Sequence, residues 1–407
     1  MPAKRGVTLN TLARELGLAK STVSRALNGY PDIAEQTRER VRDAAVRCGY
    51  RPSSIARNLK RGRVDTVGVV LTGEGPDIAS PCFVQFLRGV TRALDHEGLD
   101  LMVATAPGPG RWRETYDRLI ASRKVDGFIV TRTETHDPRI VYLRQRGVPF
   151  VTYGRTENPS QFAWFDMDNW RAIAEATERL ANFGHRRIAF INASGAFNFA
   201  RERLAGYRAA REALGLDCER VLIRRAGLQA ADGWAAAEAL MALDRPPTAL
   251  ICVRDAVAIG AARALGARGL RVGRDVSVIG YDDVPHAAFL DPPLTTYSQE
   301  SEAAGTRVAE MLLGLIRGRR ATDLQELRPA RLIERASDGP PAQTPDSLRA
   351  RLDAAARRSG RMPRRASGRK EDADRDGGSG DRGGGDTAAR RRRRRGLDPL
   401  LDHRRTA

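Results

Sequence analysis

Between Val64 and Ala336 the chain repeats one pattern: a short aliphatic run, then a longer stretch with apolar residues at helical spacing. The runs are "VDTVGVVLT", "LDLMVATA", "DGFIVT", "VPFVTYG", "HRRIAFINA", "TALICV" and "VSVIGYDD". Strands that alternate with helices at this spacing predict parallel sheets covered by helices on both faces. The region is long enough for two such units. With 407 residues, of which 41% are apolar, the chain can bury more than one core.

Several chemistries are excluded by what the sequence lacks. Cys48, Cys82, Cys218 and Cys252 lie far apart, without the close pairs of a zinc site or a CxxC redox motif, which fits a reducing compartment. The five histidines are scattered, and there is no GxSxG, HExxH or P-loop; "GPGR" at 108–111 lacks the Lys-Ser/Thr of a phosphate loop. The expectation is a chain that is not an enzyme and holds no metal or cofactor. The first residues, "MPAKRGVTLNTLARELG", are polar and amphipathic, and no run of about 18 apolar residues could span a bilayer, so a cytoplasmic protein is expected.

Charge is unevenly placed. The formal +19 divides into +9 over residues 1–63, +8 over 337–407 and +2 for everything between. A basic head on a nearly neutral body is the footprint of a nucleic-acid-binding module joined to something else. Within the head, "TLNTLARELGL" sets Leu9, Leu12, Ala13 and Leu16 at helical spacing, with Thr8 as N-cap and Gly17 as the stop. "KSTVSRALN" puts Val23 and Leu27 on one face and Lys20, Ser21 and Arg25 on the other. A third helix, "TRERVRDAAVRCGY", turns Thr37, Val41, Ala44, Ala45 and Cys48 inward. Together these predict a helix-turn-helix unit buttressed by a third helix.

"VTLNTLARELGLAKSTVSRALNG" followed by "TRERVRDAAVRCGYRPSSIARNLK" resembles the DNA-binding head of the lactose/galactose repressor (LacI/GalR) family, almost continuously from Val7 to Lys60. The resemblance implies that Lys20, Ser21 and Arg25 reach base edges in the major groove. Arg25 offering two donors to guanine would contribute about 1–3 kcal/mol of discrimination. Thr8, Thr22, Ser24, Asn28 and Tyr50 would hold phosphates and set register. Ala19 and Ala34 stand where the family usually has capping serines, and each missing cap costs about 1 kcal/mol. In "RPSSIARNLKRGR", Ile55, Ala56 and Leu59 form a stripe that the resemblance assigns to a hinge helix folding on DNA, with Ala56 at the minor groove and Leu59 wedged between base steps.

The resemblance continues through the body, where it implies two Rossmann-like lobes similar to periplasmic sugar-binding proteins, with three chain crossings between them. The expected domains are a head at 1–51, a hinge at 52–63, lobe one at 64–163 plus 292–322, and lobe two at 164–291 plus 323–336. Ligands of open α/β sheets sit beyond the carboxyl ends of the strands. "IGYDDV" puts Asp282 there, "CVRDAVAIG" puts Arg254 there, and "NFARERLAGY" sets Asn198 and Arg201 at a helix start. Asp and Arg suit paired sugar hydroxyls, and Phe83, Trp164 and Phe289 could cover apolar sugar faces. By match to the family's motifs, Asp282 and Arg201 lead as ligand contacts. Arg254 departs from the family, which usually has a small amide or hydroxyl residue in "NDxxAxG". A guanidinium there either pairs with an acid such as Asp282 or receives an anionic ligand.

After Ala336 the aromatics stop, and "GGSGDRGGGD" precedes six arginines at Arg390–Arg395. A disordered tail over 337–407 is expected, either a solvated extension or a second, salt-sensitive grip on DNA. The combined expectation is a ligand-responsive repressor of carbohydrate-utilisation genes. A homodimer would bind a pseudo-palindromic operator, at the bacterial nucleoid, with a mono- or oligosaccharide as effector. "ASPCFVQFLRG" and "FNFARERLAGY" prompt an α-linked glucoside or galactoside. The alternative is a sugar-binding protein with no DNA role.

Overall fold

The computed structural model describes residues 7–50, 63–72, 80–108, 110–217 and 219–358. At the amino end, helix α1 (Leu9–Leu16) starts where Thr8 Oγ1 accepts from the Thr11 amide at 3.2 Å, and stops at Gly17, whose φ of 63° suits glycine. Helices α2 (Lys20–Leu27) and α3 (Glu35–Arg47) start at Ala19 and Ala34 without a side-chain cap. Leu12, Val23, Ala26, Val41 and Ala44 are fully buried where the three helices meet. Ala26 joins Val23 at the centre, and Leu27 only packs against the edge of this cluster.

The body has two parallel sheets. The first runs in the order β11-β5-β4-β3-β1-β2, with β1 Thr66–Leu71, β2 Asp100–Thr105, β3 Gly127–Thr131, β4 Phe150–Tyr153, β5 Ala163–Met167 and β11 Gln325–Arg328. Central strand β3 is buried throughout, whereas edge strand β2 is partly exposed along its length, as two-sided cover of an open sheet requires. Helices α4 (Pro81–Asp95), α5 (Trp112–Ala121), α6 (Pro138–Gln145) and α11 (Ser301–Ile316) cover it. Pro81 and Pro138 open their helices where an amide proton has no partner to lose. Helices α4 and α11 touch backbone to backbone, because a Cβ on Gly89 or Gly305 would overlap the carbonyl of Glu302 or Phe86.

The second sheet runs β7-β6-β8-β9, with β6 Ile188–Asn192, β7 Ile223–Arg225, β8 Ala249–Cys252 and β9 Ser277–Ile279. Its helices are α7 (Asn169–Asn182), α8 (Asn198–Ala213), α9 (Ala230–Met241) and α10 (Asp255–Ala267). Between the sheets, β10 (Thr296–Ser298) pairs antiparallel with β12 (Arg331–Ile333). The chain therefore crosses between lobes after β5, along β10 and along β12.

Two expected boundaries move. Residues 164–167 and 325–328 belong to the first lobe, because β5 pairs with β4 (Thr152 opposite Trp164) and β11 pairs with β5. The chain is also ordered past Ala336. Ser337 is fully buried, its Oγ donating to the Val278 carbonyl at 2.6 Å, and helix α12 (Pro345–Arg358) follows. Leu348 and Leu352, one turn apart, enter the second lobe's core. Arg351 pairs with the buried Asp275 carboxylate at 2.6 Å. The rest of the expected tail, 359–407, lies outside the described residues, as do Ala56 and Leu59 of the hinge.

Candidate DNA-reading face and ligand cavity

On the head, α2 presents Lys20, Ser21, Arg25 and Asn28 to solvent, with Thr22 and Ser24 half-buried beside them. Thr8 is exposed at the start of α1 and Tyr50 half-buried after α3. The face is not a row of idle side chains. Arg25 pairs with Asp32 and lies 5.6 Å from the centre of the Tyr30 ring, and Asn28 Nδ2 donates to the Ser24 carbonyl at 2.6 Å. Both members of the Arg25–Asp32 pair are about half exposed, so the pair contributes about 0–1 kcal/mol and is easily exchanged.

In the body, a cavity of about 300 Å³ opens at the carboxyl ends of both sheets, where the strands hand over to loops and helix starts. Its apolar side is an aromatic stack: Phe83 on Phe86 at 6.3 Å between ring centres, and Phe86 on Tyr153 at 4.7 Å. Its polar side has three parts. Arg203 of α8 is 4% exposed, with its guanidinium 3.5 Å from the Tyr281 ring centre and 5.0 Å from that of Phe199. Its Nε donates to Asn169 Oδ1 at 2.8 Å and its Nη1 to the Val253 carbonyl.

Asp166, at the end of β5, accepts from Arg155 Nε at 3.0 Å and from the Met167 amide at 2.9 Å. Burial pushes its carboxyl up, against the pull of Arg155. The third part is Asp282, just past β9. Its φ of 125° is rare for a residue with a side chain, and such strain collects at functional sites. Its carboxylate accepts from Arg254 Nε at 3.1 Å and Gln299 Nε2 at 2.6 Å. Behind it Asp255 accepts from Thr296 Oγ1 at 2.6 Å and the Val284 amide at 2.9 Å, and burial, then Asp282, pushes its carboxyl up to about 7.

Of the expected ligand residues, Phe83, Arg254 and Asp282 line this cavity, and Trp164, Asn198, Arg201 and Phe289 do not. Arg201 points to the surface and pairs with Glu157. Asn198 is buried at the start of α8, its amide donating to the Thr133 carbonyl at 3.1 Å. Trp164 lies on β5, one strand in from the edge of the first sheet, under the Arg155 guanidinium, and Phe289 is 87% exposed. Arg203, Arg155, Asp166 and Gln299 were missed. For Arg203 a signal existed: Ala200, Arg203 and Tyr207 recur at helical spacing and form the buried stripe of α8, whereas Arg201 falls off it. Arg254 makes an internal pair with Asp282, its Nε 3.1 Å from the carboxylate. Among the described residues, no cluster of His, Cys, Asp and Glu could hold a metal, and no helix is long and apolar enough to cross a membrane.

Comparison with known proteins gives a consistent answer. Residues 8–53 match the bacterial regulatory proteins of the lacI family, and residues 177–337 match the periplasmic binding protein-like domain. The HTH-type transcriptional regulator AglR of Rhizobium meliloti is 36% identical over 344 residues, 82% of this chain and 95% of the relative. RafR of Escherichia coli, also an HTH-type transcriptional regulator, is 34% identical over 78% of this chain and 95% of its own. Among solved structures, the CelR–cellobiose complex superposes with a TM-score of 0.63 at 32% identity, covering 81% of this chain and 99% of that one. The lac repressor dimer bound to operator and the anti-inducer ONPF gives 0.73 at 25% identity, covering 82% and 100%. With its three-helix head, its two-lobed α/β body and relatives matched over nearly their whole length, the chain belongs to the lacI family of bacterial regulatory proteins and is a helix-turn-helix transcription regulator.

Proposed function

We propose that this regulator is a carbohydrate-controlled repressor that binds a pseudo-palindromic operator as a homodimer and answers a sugar held between its lobes. The observation that carries the reading is the cavity at the carboxyl ends of both sheets, in one chain with a head whose α2 exposes Lys20, Ser21 and Arg25. Aromatic rings on one side and fixed polar groups on the other suit a ring with an apolar face and hydroxyl edges. Similarity to a regulator solved with cellobiose and to a repressor dimer solved on its operator supports both halves of the reading. In the head, Lys20, Ser21 and Arg25 read bases, while Thr8, Thr22, Ser24, Asn28 and Tyr50 hold phosphates. Ala56 and Leu59 complete the DNA contact at the hinge. In the body, Phe83, Arg203, Arg254 and Asp282 surround the ligand. The protein works in the cytoplasm, on the nucleoid, and binds its ligand without converting it.

Thermal unfolding of the full chain against neutral sugars, sugar acids and sugar phosphates tests the ligand half. A ligand bound only by the folded state raises the midpoint by mass action, by an amount that grows with its concentration. A rise with neutral sugars supports the reading, and a midpoint unmoved by every sugar removes it.

A further inference from the structure

Arg254 stands at the N-cap position of α10, on the second lobe, without a side-chain capping bond, and its guanidinium leaves that lobe. Nη2 donates to Ser80 Oγ at 3.0 Å, at the start of α4 on the first lobe, while Nε donates to Asp282 at 3.1 Å. Asp282 in turn accepts from Gln299, and Tyr153 Oη of the first lobe donates to Gln299 Oε1 at 3.1 Å. One chain of hydrogen bonds, Ser80 to Arg254 to Asp282 to Gln299 to Tyr153, thus closes a wall of the cavity from lobe to lobe. The cavity left behind, about 300 Å³, is at the lower end of the range for small-molecule sites. The remaining polar groups, Arg203 with Asn169 and Asp166 with Arg155, are held by separate bonds.

We propose that Arg254 is the specificity-determining residue of the cavity and sets ligand length. It fills the space between Ser80 and Asp282 that a second sugar ring would need, so the ligand class is a short saccharide. This rests on the reading that the cavity holds a sugar. The planar guanidinium is suited to the task, because its fork reaches two partners on opposite walls at once. A side chain ending two carbons from the backbone cannot reach both. Specificity of this kind is a difference between affinities, so it is read as a ratio.

The test is calorimetric titration of the full-length protein and its Arg254→Asn and Arg254→Gln forms with glucose, galactose, cellobiose, maltose and melibiose. Unfolding midpoints without sugar verify that each form is folded. Arg254→Asn should raise affinity for disaccharides relative to monosaccharides at least tenfold. Arg254→Gln, which ends where the Arg Nε stands and falls short of Ser80, should shift the ratio in the same direction by a smaller amount. An unchanged ratio in the Asn form overturns the proposal while leaving the sugar-binding reading intact. Failure of the parent and both variants to bind any of the five sugars overturns that reading, and this proposal with it.

Discussion

Arg25 in the head and Arg203 in the body are the same side chain in opposite settings. Arg25 is about half exposed and shares its charge with Asp32 across a surface pair. Arg203 is 4% exposed, sits against the Tyr281 and Phe199 rings, and is held by an amide oxygen and a carbonyl, with no carboxylate paired to it among the described residues. A surface pair is given up for little, so the head can swap Asp32 for a phosphate or a guanine edge. A desolvated charge is costly unless its donors are satisfied, so the cavity keeps its cation in one place and waits for a ligand that fits. The head recognises by exchanging partners, and the cavity by refusing to move.

The largest expected effect lies on the buried side. Arg203→Gln should weaken sugar binding at least tenfold in calorimetric titration, since hydrogen bonds to a charged group contribute about 1.5–3 kcal/mol. Unchanged affinity would mean that the cavity does not use its fixed cation. Next, Arg25→Ala should cost about 1–3 kcal/mol on a selected operator and far less on random DNA, read by fluorescence anisotropy at one salt concentration. Equal losses on both DNAs would place Arg25 on phosphates and blur the contrast.

A smaller effect concerns Asp255, buried behind Asp282, whose carboxyl burial pushes up to about 7. The folded protein holds a proton there that an ordinary Asp in the unfolded chain releases near 4. Stability from this group is therefore present below about pH 4 and is lost as pH rises toward 7. Asp255→Asn imitates the protonated form. Its unfolding midpoint should gain on the parent between pH 4 and 7 and hold a constant lead above; a difference that does not vary with pH would contradict this. The smallest effect is expected at Arg201, whose partner Glu157 is a surface group. Arg201→Ala should leave sugar affinity within twofold, and a tenfold loss would restore it as a ligand contact.

The same contrast explains what could be read from the residues. The head's reading face is carried by a single helix of eight residues, so spacing alone sets Lys20, Ser21 and Arg25 outward and Val23 inward, although Ala26 rather than Leu27 completes the buried side. Seven strands were legible as aliphatic runs. β5 and β11 were not recognised, because "AWFDM" and "QELR" carry acids and a Trp inside the strand. Asp282 was legible because it follows directly on an aliphatic strand run, just past β9. Arg203 was not, because "RER" offers two arginines and only the buried stripe of α8 chooses between them. An aromatic ring alone does not place a residue in the cavity: Phe289 sits in an exposed 3-10 turn that carries it outward. Helix α12 was hidden in a basic, aromatic-free stretch, where two leucines one turn apart were enough to dock it.

A ligand-responsive DNA-binding regulator couples its head to its cavity, and coupling between two sites must be reciprocal. The decisive measurement takes DNA selected from a random library by the full chain, and the sugar that most raises its unfolding midpoint. The dissociation constant of each is determined with and without a saturating amount of the other. Both constants should shift by the same factor, about fivefold or more. Constants that stay equal in the presence and absence of the partner would contradict the coupling, leaving a DNA-binding protein and a sugar-binding protein that merely share a chain.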